Sequence, residues 1–207
     1  MTFLFLVASL GCNSDSTIQH PIEITGYLDP ARMELTSRTQ VAADETATVA
    51  VAGRPGATTT TTDPLLIRNT RTKDEVDADP TADGGFWASI DARAADEIEI
   101  SQDAAEAVSL TVEPFESLPE REVSVHLSDD HTRAVVSVTF VGGLDEGWIV
   151  SMANPSLSLI VDLSASGDAG TGFEGEISAD PSSVLELYGT TPDGVTTLSV
   201  GIEVPAA

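Results

Sequence analysis

Apolar residues in this chain come in short runs that alternate with polar ones and stop at Gly, Pro or Asp. Examples are Ala47-Thr48-Val49-Ala50-Val51, Val123-Ser124-Val125-His126-Leu127 and Ala134-Val135-Val136-Ser137-Val138-Thr139-Phe140-Val141. A period of two puts alternate side chains on one face of a strand, and turn signals recurring roughly every 8 to 12 residues have the spacing of an antiparallel sandwich. No amphipathic run longer than about ten residues survives the Gly and Pro punctuation. The best helical candidate, residues 103–107, is one turn at most. The pattern predicts an all-β chain.

With 207 residues, 41% of them apolar, there is material for one large or two ordinary domains with packed cores. The formal charge is −25, from 34 acidic and 9 basic side chains, and Lys73 is the sole lysine. Neutralising phosphates requires clustered Lys and Arg, and the densest basic group, Arg68, Arg71 and Lys73, is followed at once by Asp74 and Glu75. Nucleic acid is therefore excluded as a partner. Residues 13–113 carry 19 acids and 7 bases, and residues 114–207 carry 15 and 2, so the acidity is no single tail. Such evenly spread acids with scarce lysine resemble proteins of saline habitats, where screening shortens the Debye length to roughly 3 Å at 1 M salt. An ordinary acidic exported protein is the other reading.

The chain also resembles itself. Gly85-Phe86-Trp87-Ala88-Ser89-Ile90-Asp91-Ala92 matches Gly172-Phe173-Glu174-Gly175-Glu176-Ile177-Ser178-Ala179, and the same offset pairs Ile98-Glu99-Ile100 with Leu185-Glu186-Leu187. After a small insertion, residues 108–113 pair with 198–203. These matches predict two tandem antiparallel β-sandwiches, over 22–116 and 117–207, divided near 114–119, where Pro114 and Pro119 withhold amide donors.

Residues 51–57, 66–72 and 82–90, with their Gly-bounded turns and the aromatic pair Phe86-Trp87, resemble bacterial immunoglobulin-like repeats of surface proteins. The resemblance implies immunoglobulin-like sandwiches whose glycines make hairpin turns and whose following aromatic enters the core. It implies binding or adhesion through loops and strand edges, without bond chemistry.

The N-terminus carries a second resemblance. Phe3 to Gly11 is an apolar run ending at Cys12, the single cysteine, and a polar Asn13-Ser14-Asp15-Ser16-Thr17 follows. About nine apolar residues cannot span a bilayer, which needs about 20, but they suit the core of a signal peptide. Leu10-Gly11-Cys12 resembles the bacterial lipobox, with Ser9 where leucine is usual and no Lys or Arg ahead of the run. The resemblance implies a signal peptide over 1–11, a lipid on Cys12, a flexible tether over 12–21 and anchorage in the cell envelope, at the outer membrane or cell surface. The expected partners are the membrane, through that lipid, and an envelope protein or polysaccharide. A single cysteine permits no intrachain disulfide.

Candidate chemistry is sparse. Asp77, Asp79 and Asp83 follow Asp74 and Glu75 in one turn-rich stretch ending at Gly84-Gly85. Calcium wants six to eight oxygens from such a loop, although the spacing is not that of an EF-hand, and Asp is also a common turn residue. Calcium is the one cofactor considered. His126 and His131 flank Ser128-Asp129-Asp130, a turn whose tip His131 is expected to occupy. Trp87 and Trp148 offer either sugar-stacking faces or core packing, with Phe86 or Trp87 in the first core and Trp148 in the second. No Gly-x-Ser-x-Gly, His-Glu-x-x-His or phosphate-cradling glycine loop is present. A non-catalytic structural, adhesive or binding role is the expectation, with carbohydrate binding or a calcium-dependent scaffold as alternatives.

Overall fold

The computed structural model describes residues 26–103, 105–166 and 170–206. Cys12, His20 and the expected leader and tether lie outside them. Seven strands, β1 (Met33–Thr36), β2 (Ala47–Gly53), β3 (Leu65–Asn69), β4 (Glu75–Ala78), β5 (Phe86–Ala92), β6 (Glu97–Ser101) and β7 (Val108–Thr111), form antiparallel sheets ordered β1-β2-β5 and β4-β3-β6-β7. Eight more follow: β8 (Arg121–Leu127), β9 (Arg133–Phe140), β10 (Ile149–Asn154), β11 (Leu159–Asp162), β12 (Ser164–Ser166), β13 (Gly172–Ser178), β14 (Val184–Thr190) and β15 (Val200–Glu203). They form sheets ordered β12-β13-β9-β8 and β11-β10-β14-β15. The chain is all-β, as the alternation predicts.

Each pair of sheets encloses its own core. Val49, Val51, Leu65, Ile67, Phe86, Ile90, Ile98 and Ile100 fill the first. Val136, Val138, Phe140, Met152, Phe173, Leu185 and Leu187 fill the second. There Phe140 meets Phe173 edge to face, with ring centroids 5.8 Å apart. Core membership changes between Phe115 and Leu118, inside the proline-bounded stretch.

The two halves share one strand order, β12 being the addition in the second. Phe86, Ile90 and Ala92 on β5 and Phe173, Ile177 and Ala179 around β13 are all buried, in agreement with the fixed-offset match. The final strands need a correction. Leu110 pairs with Ile98 and Ile202 pairs with Leu185, so residue 110 corresponds to 202, two places beyond the pairing read from sequence. Val112 and Val204 are then the matching buried residues. A shift of two keeps every side chain on its own face, so alternation alone cannot detect it.

A paired turn closes each sandwich. Gly84 and Gly170 have φ of +82° or less, at +80° and +82°, and a Cβ would lie 2.1 Å from the Thr58 carbonyl oxygen and 2.3 Å from that of Leu144. A left-handed backbone and a close approach both require glycine at these two points. Phe86 and Phe173 enter the cores shortly after them.

A buried asparagine recurs as well. Asn69 Nδ2 donates to the Asp91 carbonyl at 3.0 Å, and its Oδ1 accepts from the Arg71 N–H at 3.0 Å. Asn154 Nδ2 donates to the Ser178 carbonyl at 2.8 Å, and its Oδ1 accepts from the Ser156 N–H at 3.2 Å. Each ties the end of one sheet to a strand of the facing sheet. Replacing either by alanine strands these backbone groups and is expected to cost about 1 to 3 kcal/mol, read as a lower denaturant midpoint with an unchanged slope. Equal midpoints for wild type and variant would remove the clamp.

Candidate functional site

Where the two halves face each other, β1, β2, β10 and β14 are buried on both sides over most of their length. On β2, Val49 and Val51 point into the first core, while the intervening Ala50 and Ala52 join Trp87, Ala153, Ile160 and Tyr188 in a third apolar cluster. The outer face of β2 and β5 thus packs on the outer face of β10, β11 and β14. Alanines let the sheets approach, and the large rings fill the gap, with Trp87 and Tyr188 centroids 6.1 Å apart at 45°.

Beside these rings the seam is ionic. Arg54, at the end of β2, places Nε 3.1 Å from Glu34 Oε1 of β1 and Nη1 3.4 Å from Asp162 Oδ2 of β11. Its Nη2 donates to the Ala31 carbonyl at 3.0 Å. The Thr190 hydroxyl donates to Glu34 Oε2, and the Ser151 hydroxyl donates to Asp162 Oδ1 at 2.9 Å. Arg54 and Glu34 keep only 11% and 7% of their side chains exposed. One guanidinium therefore joins carboxylates from both halves, the Asp162 side chain staying 40% exposed while the Arg54–Glu34 pair is held away from water, where neither charge is tolerated unpaired.

Burial pushes the Glu34 carboxyl pKa up, against the Thr190 hydrogen bond and the Arg54 charge, which lower it. Burial also drives the Tyr188 phenol well above its ordinary range, assisted by the Glu34 and Asp162 charges. The Tyr188 hydroxyl is enclosed with no aligned hydrogen bond among the described residues. A carboxyl raised by folding weakens the folded state above its folded pKa, and that cost disappears as pH falls toward its unfolded value of about 4.3. The melting temperature of wild type minus that of Glu34→Gln is accordingly expected to rise as pH is lowered from about 8 toward about 4. A difference that stays flat across this range would contradict the burial of that charge.

Further along the seam, Arg38 Nε donates to Glu186 Oε1 at 2.7 Å, and the Thr36 hydroxyl donates to the Thr197 carbonyl at 2.8 Å. Here the faces part around a groove of about 540 Å³ whose lining includes Arg38, Trp87, Ser89, Ser156, Glu186 and Ser199. No family model and no curated protein matches the chain.

Among solved structures, the chain is similar to one on neurohormone perception by the receptor tyrosine kinase Torso, at 12% identity over 86% of this chain and 76% of that one, with a TM-score of 0.30. It is also similar to pullulanase from Anoxybacillus sp. LM18-11 complexed with maltotriose, at 7% identity over 83% of this chain and 25% of that one, with a TM-score of 0.23. Similarity at this level carries no argument about activity.

The residues singled out by sequence do not meet at the seam, apart from Trp87. That ring is 7% exposed and packs between the sandwiches, while Phe86 alone of the pair enters the first core. Apart from its place in the lining of the seam groove, Trp87 is enclosed. Trp148 is half-buried, packs against the second core, and lies over Gly189. Asp77 is exposed on β4, and Asp79 is exposed just beyond it. Asp83 Oδ1 accepts from the Thr81 hydroxyl at 2.5 Å and from the Gly85 N–H at 3.1 Å, as a turn residue does. Among the described residues, no three His, Cys, Asp or Glu side chains are grouped to hold a metal ion. His126 is exposed on β8, and His131 sits at its turn with φ of 54°.

Glu34, Arg54, Asp162 and Tyr188 escape sequence reading. One signal was present: the outward positions of β2 are alanines in place of the polar residues of a one-sided strand.

Proposed function

We propose that this chain is a non-catalytic, lipid-anchored protein of the cell envelope whose immunoglobulin-like modules serve a structural, adhesive or binding role. The observation that supports this reading is the seam, where Arg54 ties Glu34 to Asp162 beside the Trp87–Tyr188 contact and holds two sandwiches as one block. Such a block suits presentation of loops and edges to another molecule. Its buried carboxylates are engaged by arginine, which suits cohesion better than proton transfer. The acidic surface keeps the block soluble and away from polyanions.

The test is the intact mass of the protein extracted from membranes of its native host. A chain starting at Cys12 and carrying acyl groups is the expected result. An unlipidated chain that retains residues 1–11 would overturn the anchor.

A further inference from the structure

The seven-residue strand β8 is an edge of its sheet, and among the described residues nothing pairs with its outer side. The other edge strands are shorter, at three or four residues, except β5, which is buried at five of its seven positions. β1, which holds the place of β8 in the first half, is buried throughout, with Met33 and Leu35 in the first core and Glu34 and Thr36 at the seam. Long open edges are usually blunted by Pro, Lys or a bulge. Arg121-Glu122-Val123-Ser124-Val125-His126-Leu127 contains neither Pro nor Lys, and it pairs with β9 in unbroken register.

The parity of that register defines what the edge offers. Val141 N–H donates to the Glu120 carbonyl at 2.9 Å and Ser128 N–H donates to the Arg133 carbonyl at 2.9 Å, so the even-numbered residues direct their backbone groups toward β9. In an antiparallel ladder these alternate, so Arg121, Val123, Val125 and Leu127 direct theirs outward. Side chains follow the same parity. Val125 and Leu127 pack against the second core, whereas Glu122, Ser124 and His126 line the exposed face.

We propose that β8 is a self-pairing edge, through which two copies of this chain join β8 to β8 antiparallel about a two-fold axis at Ser124. In this register Arg121 lies opposite the partner's Leu127, and Val123 lies opposite the partner's Val125. All four outward-facing residues then exchange backbone hydrogen bonds, as their parity requires. Glu122 stands opposite the partner's His126, twice by symmetry, at positions where side chains approach closest. Val123, at 36% exposure the least covered apolar residue of the strand, gains an apolar neighbour on the core face. The strand carries one acid and one arginine in a chain of net charge −25, so it is the local edge that a second acidic copy approaches without direct repulsion. A contact of one strand pair is small, so the dimer is weak, with a dissociation constant on the order of 100 µM, and is favoured by salt that screens the remaining charge.

Sedimentation of the full chain up to about 1 mM, at about 0.15 and 1 M NaCl, tests it. A reversible monomer–dimer equilibrium that strengthens with salt is expected. Val123→Pro removes only an outward N–H, a change that edge strands tolerate, and is expected to abolish the dimer. His126→Glu sets two glutamates opposite each other and is expected to weaken it about tenfold or more; exchanging the pair, Glu122→His with His126→Glu, restores it. The last two variants lie on the solvent face and report even if Val123→Pro fails to fold. A chain that stays monomeric at 1 mM in 1 M salt overturns the proposal, as does a dimer indifferent to these substitutions.

Discussion

Arg54→Ala is expected to destabilise the protein by about 3 to 5 kcal/mol, because it leaves buried carboxylate charge without its counter-ion. Glu34 would remain 7% exposed beside the Tyr188 ring, with Asp162 facing it across the seam. Three companions define the cause. Arg54→Lys keeps the charge but loses the planar fork that reaches both carboxylates and the Ala31 carbonyl, so it should recover only part of the loss. Arg54→Met combined with Glu34→Met removes both buried charges together and should cost far less than the single alanine. In Arg54→Ala the Glu34 carboxyl rises further, so the deficit should shrink on acidification. Chemical denaturation at about pH 5 and pH 8 measures all three. A deficit below about 1 kcal/mol at both values would mean that the ionic cluster is held as loosely as a surface pair.

Trp87→Ala is expected to cost about 3 to 5 kcal/mol, the range for deleting a large buried aromatic side chain. The loss falls at the seam, since Trp87 belongs to the cluster shared with Ala153, Ile160 and Tyr188 and to neither sandwich core. The expected calorimetric signature is a single cooperative transition in wild type that separates into two in the variant, one for each core. Added to Trp87→Ala, Phe86→Ala opens the first core and should lower that core's transition alone. If Trp87→Ala melts in one transition close to wild type, the sandwiches are not coupled through this ring.

Side-chain alternation exposed β2, β8 and β9 in the sequence because each has one face in a core and strands show that face with period two. The match of residues 85–92 to 172–179 was legible for a related reason: Phe86, Ile90 and Ala92 and their counterparts are confined by the same turn glycine and the same facing sheet. The last strands were misregistered by two because nothing local distinguishes 108 from 110 once both are apolar and in phase. The seam was hidden for another reason. Glu34, Asp162 and Glu186 are three among 34 acids, and what separates them is contact with residues more than a hundred positions away. Trp87 looked like either a core residue or a surface ring because the third possibility, a second sheet outside the first, depends on the other half of the chain.

The seam also sets an order of events during synthesis. The first sandwich contains all of its own core by Phe115, yet the rings and chains that cover its outer face, Ile160 and Tyr188, are made later. At about 5 to 20 residues per second, Tyr188 follows Phe115 by roughly 4 to 15 seconds. For that interval a folded first half carries Ala50, Ala52 and Trp87 uncovered, together with a Glu34–Arg54 pair that still lacks Asp162 and Thr190. The nascent chain therefore passes through a sticky half-finished stage, and whatever escorts it to its destination must shield that face or keep the first half from closing until the second arrives.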